Sequence, residues 1–151
     1  MNYPKSFILG GAQIGQRYGE FSPGGFLNDA DVDALLAEAW SASFIAVDTA
    51  SGYGDSEAQI GRAGWSGQLH TKLDSTTPAR VSLDRSLERL RREKIDLLYL
   101  CHEASQLRKH SIAEWDQMLG SLRTRVDTFG LSLYADQLEE KVAELDQIRV
   151  L

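Results

Sequence analysis

The sequence predicts an α/β fold with a parallel sheet closed as a barrel, and two observations carry that prediction. Short apolar runs alternate with helical patterns along the whole chain, which implies parallel strands joined by right-handed crossovers. Asp48, Lys72, His102 and Ser132 then fall at or near the C-terminal ends of four successive runs, the end where a barrel collects its chemistry. A doubly wound sheet uses mostly the one crevice where strand order reverses, so polar residues at four successive ends suit it less well. Its Gly-x-Gly-x-x-Gly fingerprint is also missing. After the first run comes Gly10-Gly11-Ala12-Gln13-Ile14-Gly15, with Ala12 at the middle glycine position. Gln16 to Gly25 is rich in turn residues, so no helix is expected to open there.

The elements follow in order. The first strand is expected over Ser6–Leu9, and the Gly19–Gly25 segment is a loop long enough to line a site. Asn28 is a plausible N-cap for a helix over Asp29–Trp40, with Asp29 and Asp31 in the first turn where the dipole favours anions. Leu35, Leu36, Ala39 and Trp40 would form its apolar face. The second strand is Phe44–Val47, and a short helix spans Ser56–Arg62. Gln68–Leu73 is the third strand, followed by a helix over Ser82–Glu93 with Leu83, Leu87 and Leu90 at spacings of four and three. Ile95–Cys101 is the fourth strand. The helix Ser111–Leu122 carries Ile112, Trp115, Leu119 and Leu122, and Phe129–Leu133 is the fifth strand. A helix over Asp136–Asp146 and the start of a sixth strand at Ile148–Leu151 complete the series. Gly54 and Gly61 are expected to serve turn geometry and close packing. Trp40 and Trp115 are expected in the core, and Cys101 packs as a small hydrophobe. Trp65 and Tyr18, both in loops, are candidates for lining a pocket.

Bulk composition narrows the class. A chain of 151 residues, 42% hydrophobic and 25% charged, fits one soluble globular domain, and no composition break marks a second. The net charge of −6 argues against a nucleic-acid or acidic-membrane surface. The Arg85, Arg89, Arg91, Arg92, Lys94 cluster alternates with Leu87, Glu88 and Leu90 and reads as a solvated helix face. No apolar stretch approaches a membrane span of roughly 20 residues, and the N-terminus lacks a secretory signal pattern. The single cysteine forbids an internal disulfide and fits a reducing cytoplasm. The three histidines lack metal-ligand spacing.

Asp48, Tyr53, Lys72 and His102 make chemical sense together. Phenols ordinarily ionise near pH 10 and are poor proton donors to a carbonyl at neutral pH. A neighbouring ammonium favours the phenolate, and a carboxylate keeps that ammonium charged and oriented. Neutral His102 can donate a hydrogen bond to a carbonyl oxygen and hold it beside the phenol. The set suits reduction of an aldehyde or ketone. No side chain supplies a hydride, so a nicotinamide cofactor is required. Taken singly, each residue has a plainer reading: Asp48 as a turn cap, Tyr53 as a packed aromatic, Lys72 as a solvated lysine, His102 as a structural histidine. Glu103 and Asp74, beside site residues, are expected in solvent. A short-chain dehydrogenase would need Tyr-x-x-x-Lys, and no tyrosine here has a lysine four residues later.

The residues Asp48-Thr-Ala-Ser-Gly-Tyr53-Gly54-x-Ser56-Glu57, then Ile60-Gly61, Thr71-Lys72 and Ile95-Asp96-Leu-Leu-Tyr-Leu-Cys-His102, resemble the aldo/keto reductase family in order and spacing. Phe129-Gly-Leu-Ser132 resembles that family's later strand. Leu9-Gly10-Gly11-Ala12-Gln13 with Gly15, Tyr18 and Gly19 resembles its opening strand. The opening segment and Gly130–Tyr134 look most like bacterial members tied to sugar metabolism. The resemblance implies a (β/α)8 barrel of the TIM-barrel type and NADPH-dependent carbonyl reduction. Tyr53 would be the general acid, Lys72 and Asp48 would tune it, and His102 would orient the substrate. It also implies cofactor contacts from Gly11, Ala12, Gln13, Asp48 and Ser132. Leu133 stands where the family commonly has Asn.

An eight-stranded barrel typically takes about 250 residues. Residues 1–151 therefore read as the N-terminal part of one barrel domain, five strand–helix units and the start of strand six. Such a chain is expected to leave open sheet edges that invite self-association or a partner. By itself it is expected to bind NADPH very weakly and turn over negligibly. The competing reading is a non-catalytic half-barrel that pairs with another chain.

Overall fold

The structure, a computed structural model, describes residues 7–19, 27–100 and 111–132. Within them five strands form one sheet in the order β1-β2-β3-β4-β5, every neighbouring pair parallel. The strands are β1 (Phe7–Gly10), β2 (Phe44–Asp48), β3 (Gln68–Lys72), β4 (Ile95–Tyr99) and β5 (Val126–Gly130). The helices are α1 (Ala12–Gly15), α2 (Asp29–Ser41), α3 (Ser56–Ala63), α4 (Ala79–Leu90) and α5 (Ile112–Leu122). Sequential parallel order with a helix between strands is what right-handed crossovers produce as a barrel wall is laid down.

Register decides which side chains meet. Gly10 pairs with Asp48, Asp48 with His70, His70 with Leu97, Lys72 with Tyr99, and Tyr99 with Gly130. Side chains alternate between faces with period two. Asp48, His70, Lys72, Leu97 and Tyr99 therefore share one face, and Val47, Leu69, Thr71 and Leu98 share the other. That second face is the core. Val47, Leu69 and Leu98 are buried there against Val32, Leu36, Ile60, Leu83, Leu87, Leu119 and Leu122 of the helices.

Helix ends follow their local chemistry. Asn28 caps α2 in a full capping box: its Oδ1 accepts from the Asp31 N–H at 3.0 Å, and the Asp31 Oδ2 accepts from the Asn28 N–H at 3.2 Å. Ser111 and Glu114 do the same for α5. Helix α4 lies three residues earlier than the sequence suggests. It follows Pro78 and stops where Arg91 turns left-handed (φ 54°), so Glu93 is outside it. Strand β5 likewise begins three residues early, because pairing of Ile95 with Val126 sets its start rather than apolar density. The first loop holds one helical turn, α1, seated by buried Ile14, where no helix was expected.

Two expectations about apolar faces need correction. Helix α2 buries Val32, Leu36 and Ala39, an i, i+4, i+7 stripe, and leaves Leu35 and Trp40 exposed at 36% and 43%. Trp65, a candidate for lining a pocket, stands apart from the cleft at the C-terminal strand ends. It is buried, its indole N–H donates to the Gln68 carbonyl at 3.1 Å, and Trp40 stands edge-on to it. The contact lies beside the start of β3, opposite the strand ends that carry the polar residues. Trp115 is in the core as expected. The arginine cluster along α4 is exposed except for Arg92, whose guanidinium donates to the Trp65 and Gly67 carbonyls. Gly61 is a close-packing site as expected: a Cβ there would stand 2.1 Å from the Arg89 carbonyl oxygen. No helix among the described residues is long and apolar enough to cross a membrane.

His102, Cys101, Glu103, Leu133, most of the Gly19–Gly25 loop, the Asp136–Asp146 helix and the Ile148–Leu151 strand lie outside the described residues.

Candidate active site

Strand β2 ends on Asp48 and β3 ends on Lys72, both on the face away from the helices. Lys72 Nζ donates to Asp48 Oδ1 at 2.8 Å, to Asp48 Oδ2 at 2.7 Å, and to the Thr49 carbonyl at 2.9 Å. An ammonium has three N–H donors, and these three bonds occupy them all. Both side chains remain partly open to solvent, Lys72 at 17% and Asp48 at 31%.

Tyr53 reaches the same place from the turn after β2. Its N–H donates to the Ala50 carbonyl at 3.0 Å, and its own carbonyl accepts from the Ser56 N–H at 3.1 Å. Gly54 takes a left-handed φ of 56°, which glycine adopts without strain. Gly15 of α1 packs directly beneath this turn, where a Cβ would lie 2.0 Å from the Tyr53 carbonyl oxygen. The turn therefore delivers the Tyr53 ring to the Lys72 ammonium, 5.2 Å from Nζ to ring centroid. Tyr18 stands beside Tyr53, with centroids 6.1 Å apart.

These groups border a cleft of about 680 Å³ lined by Tyr18, Tyr53, Lys72, Asp74, Thr76 and Ser132, among others. Tyr18 thus lines the site, as one reading of its loop position allows. Gln13 supports it, the side-chain amide donating to the Tyr18 carbonyl at 3.0 Å. Gly11 and Ala12 stand at the neighbouring turn. The Gly11 N–H donates to the Asp48 carbonyl at 2.7 Å, and its carbonyl accepts from the Ser56 hydroxyl at 2.8 Å. Asp74 is half-buried at the rim rather than fully in solvent. The Thr76 hydroxyl and N–H both donate to it, which pulls its carboxyl below the ordinary aspartate range.

Three further features escaped the sequence reading. Tyr99 lies against Lys72, its ring centroid 5.2 Å from Nζ. His70 is buried on the same face, and its Nδ1 has no hydrogen-bond partner among the described residues. Burial pushes its imidazole below the ordinary histidine range, against the pull of Asp48 and Asp96. Behind the strand ends, Thr71 donates to Glu57 at 2.7 Å and Thr49 to Ser56 at 2.9 Å, all four buried. Strand parity would have found Tyr99 and His70, since both share the face of Lys72. The Thr71–Glu57 contact joins distant segments and leaves no local mark.

The arrangement can hold a positive charge beside a phenol within an open, half-polar cleft. The cleft volume falls within the range of small-molecule sites. Its hydroxyls, aromatic walls and single ammonium suit a nicotinamide with a small carbonyl compound beside it.

Fold and site together define an α/β protein of parallel-barrel type with its polar cluster at the C-terminal strand ends. The aldo/keto reductase family pattern matches residues 6–148, and the chain belongs to that family. No curated protein matches it. Among solved structures, a protein provisionally described as an aldo-keto reductase from Pseudomonas aeruginosa is 26% identical, with a TM-score of 0.68 over 82% of this chain and 54% of that one. The glycerol dehydrogenase from Gluconobacter oxydans is 25% identical, with a TM-score of 0.65 over 91% and 47%. A protein provisionally described as a 2,5-diketo-D-gluconic acid reductase B is 26% identical, with a TM-score of 0.63 over 91% and 48%. The chain spans about half the length of these structures.

Proposed function

We propose that this site serves NADPH-dependent reduction of an aldehyde or ketone. A sugar-derived substrate is the favoured class, since two of the similar proteins are named for polyol and sugar-acid substrates. The observation that carries the reading is the Lys72 ammonium, held by both oxygens of Asp48, against the Tyr53 ring in an open cleft. When bound, the cofactor supplies the hydride that no side chain can. Tyr53 delivers the proton to the carbonyl oxygen. Lys72 lends positive charge to the phenol as it becomes a phenolate, and Asp48 keeps that charge in place. Ser132 meets the nicotinamide end of the cofactor, with Gly11, Ala12 and Gln13 contributing from the first turn. His102 orients the substrate carbonyl. The protein acts in the cytoplasm.

Tyr53→Phe, made in a complete barrel that carries these residues, tests this. Carbonyl-dependent oxidation of NADPH should be abolished, while NADPH binding by fluorescence titration stays within about twofold, since only the transition-state proton donor is removed. Retained turnover would take Tyr53 out of the role of acid.

One observation favours a second reading, a half-barrel that pairs with another chain. Phe7 and Ile8 on β1 are 57% and 49% exposed, on a strand that pairs only with β2 among the described residues. Size-exclusion chromatography showing a lone monomer would count against it.

A further inference from the structure

We propose that Tyr99 is a positioning residue for Lys72: its ring and that of Tyr53 hold the ammonium between them above Asp48. The inference rests on the reading of the site given above and adds to it the contact with Tyr99.

Lys72 Nζ lies 5.2 Å from the centroid of Tyr53 and 5.2 Å from that of Tyr99, inside the roughly 6 Å over which a ring face attracts a cation. The two rings come from unrelated places. Tyr53 arrives from the turn after β2, whereas Tyr99 ends β4 in direct register with Lys72. Its neighbour on the other side, Gly130, leaves the ring room. A Cβ on Gly130 would stand 3.0 Å from both Cδ1 and Cε1 of the Tyr99 ring, tight enough that the ring would have to shift. Strand β5 thus leaves a gap beside the ring, while β3 sets the ammonium against it.

All three N–H bonds of Lys72 go to Asp48 and Thr49, so no further donor is available to fix its position. A ring face attracts the charge without competing for an N–H. The two rings can therefore restrain the ammonium while its hydrogen bonds stay intact. A lysine stem is flexible and its head group strongly hydrated. Without Tyr99, the ammonium would keep its bonds to Asp48 and Thr49 but lose one of the two ring faces that restrain its position against the phenol.

The test uses the full chain with labelled lysines, of which there are five. Ring currents from two tyrosines should place the Lys72 ε-proton signal upfield of the other four. Tyr99→Phe keeps the ring and should leave the signal in place. Tyr99→Leu should move it toward the other lysines and speed exchange of the ammonium protons. Gly130→Ala displaces the ring instead of deleting it and should shift the signal too, which keeps the test decisive if Tyr99→Leu does not fold. A folded Tyr99→Leu or Gly130→Ala chain with an unmoved Lys72 signal overturns the proposal.

Carbonyl reduction adds a second readout. Tyr99→Leu should lower kcat about tenfold with KM within about twofold, and Tyr99→Phe should restore it. Equal losses in both variants would assign the effect to the hydroxyl and overturn the ring-face role. An upfield Lys72 signal in this chain, with no carbonyl reduction by a complete barrel that carries these residues, would support Tyr99 as the clamp while sinking the functional reading.

Discussion

Adjacent residues at the ends of β2 and β3 face opposite ways, and the two sides of the sheet use polar groups differently. Toward the cleft, Asp48 and Lys72 form a charged pair that keeps contact with solvent. Toward the helices, Thr49 and Thr71 are completely buried and donate to Ser56 and Glu57 of α3, also buried. Water can replace a lost partner on the first side and cannot on the second. Helix-side pairs should therefore govern stability by fixing where α3 and the Tyr53 turn sit. The cleft-side pair should govern chemistry and contribute little to folding. The contrast is sharp because it separates residues one position apart in the chain.

The largest effect should come from Thr71→Val, which keeps the shape of the side chain and removes its hydroxyl. Among the described residues Glu57 would keep only the Arg89 guanidinium, 3.8 Å from its Oε2, while Oε1 lost its donor in a buried site. A buried charged group without its partner costs about 2 kcal/mol, measurable by urea unfolding. Turnover per folded molecule should stay near wild type. A stability loss near zero would show that water reaches Glu57 and would erase the contrast between the two sides.

That contrast was only half legible in the sequence. The alternation of apolar runs marked all five strands of the described region, capping chemistry placed the start of α2, and apolar spacing placed α5. Asp48, Tyr53 and Lys72 were marked by residue type at strand ends and do converge. The errors share one cause. Leu35 and Trp40 look apolar on a helical wheel, but the face that meets the sheet is chosen by packing, which selects Val32. Trp65 does lie in a loop, but its partners, Trp40 and the Gln68 carbonyl, belong to other elements and bury it. Tyr99 and His70 carried a readable signal, strand parity with Lys72.

A smaller effect is expected from His70, which sits on the cleft face yet is buried like the helix-side groups. It tests whether burial or facing decides behaviour. Burial holds its imidazole below the ordinary histidine range in the folded chain, so the unfolded chain binds the proton more readily. Stability should thus be fully present above about pH 6.5, the ordinary histidine value, and fall as pH drops below it. One proton bounds the slope at about 1.4 kcal/mol per pH unit. His70→Phe should flatten the unfolding midpoint between about pH 6.5 and 5 relative to wild type, leaving the lower-pH loss from Asp74 in both proteins. Asp48 and Asp96 pull against the shift and Lys72 reinforces it. A wild-type curve already flat in that range would mean the carboxylates win.

The smallest stability effect should be that of Asp48→Asn. The amide retains an acceptor for Lys72 and fits the same space, and the pair it weakens is partly solvated, where ion pairs contribute less than about 1 kcal/mol. Carbonyl reduction should nonetheless fall about a hundredfold or more, because the neutral side chain no longer anchors the ammonium against the phenol. Set beside Thr71→Val, the two variants should cross: one loses stability and keeps its rate, the other keeps stability and loses its rate. Double substitution adds a check. The residues sit on neighbouring strands but on opposite faces and without a shared hydrogen-bond partner; if the two sides act independently, their stability losses should sum within about 0.5 kcal/mol. A larger coupling would mean that the anchoring of α3 and the Lys72–Asp48 geometry form one mechanical unit. The helix-side pairs would then be tuning the reactive residues and not merely supporting them.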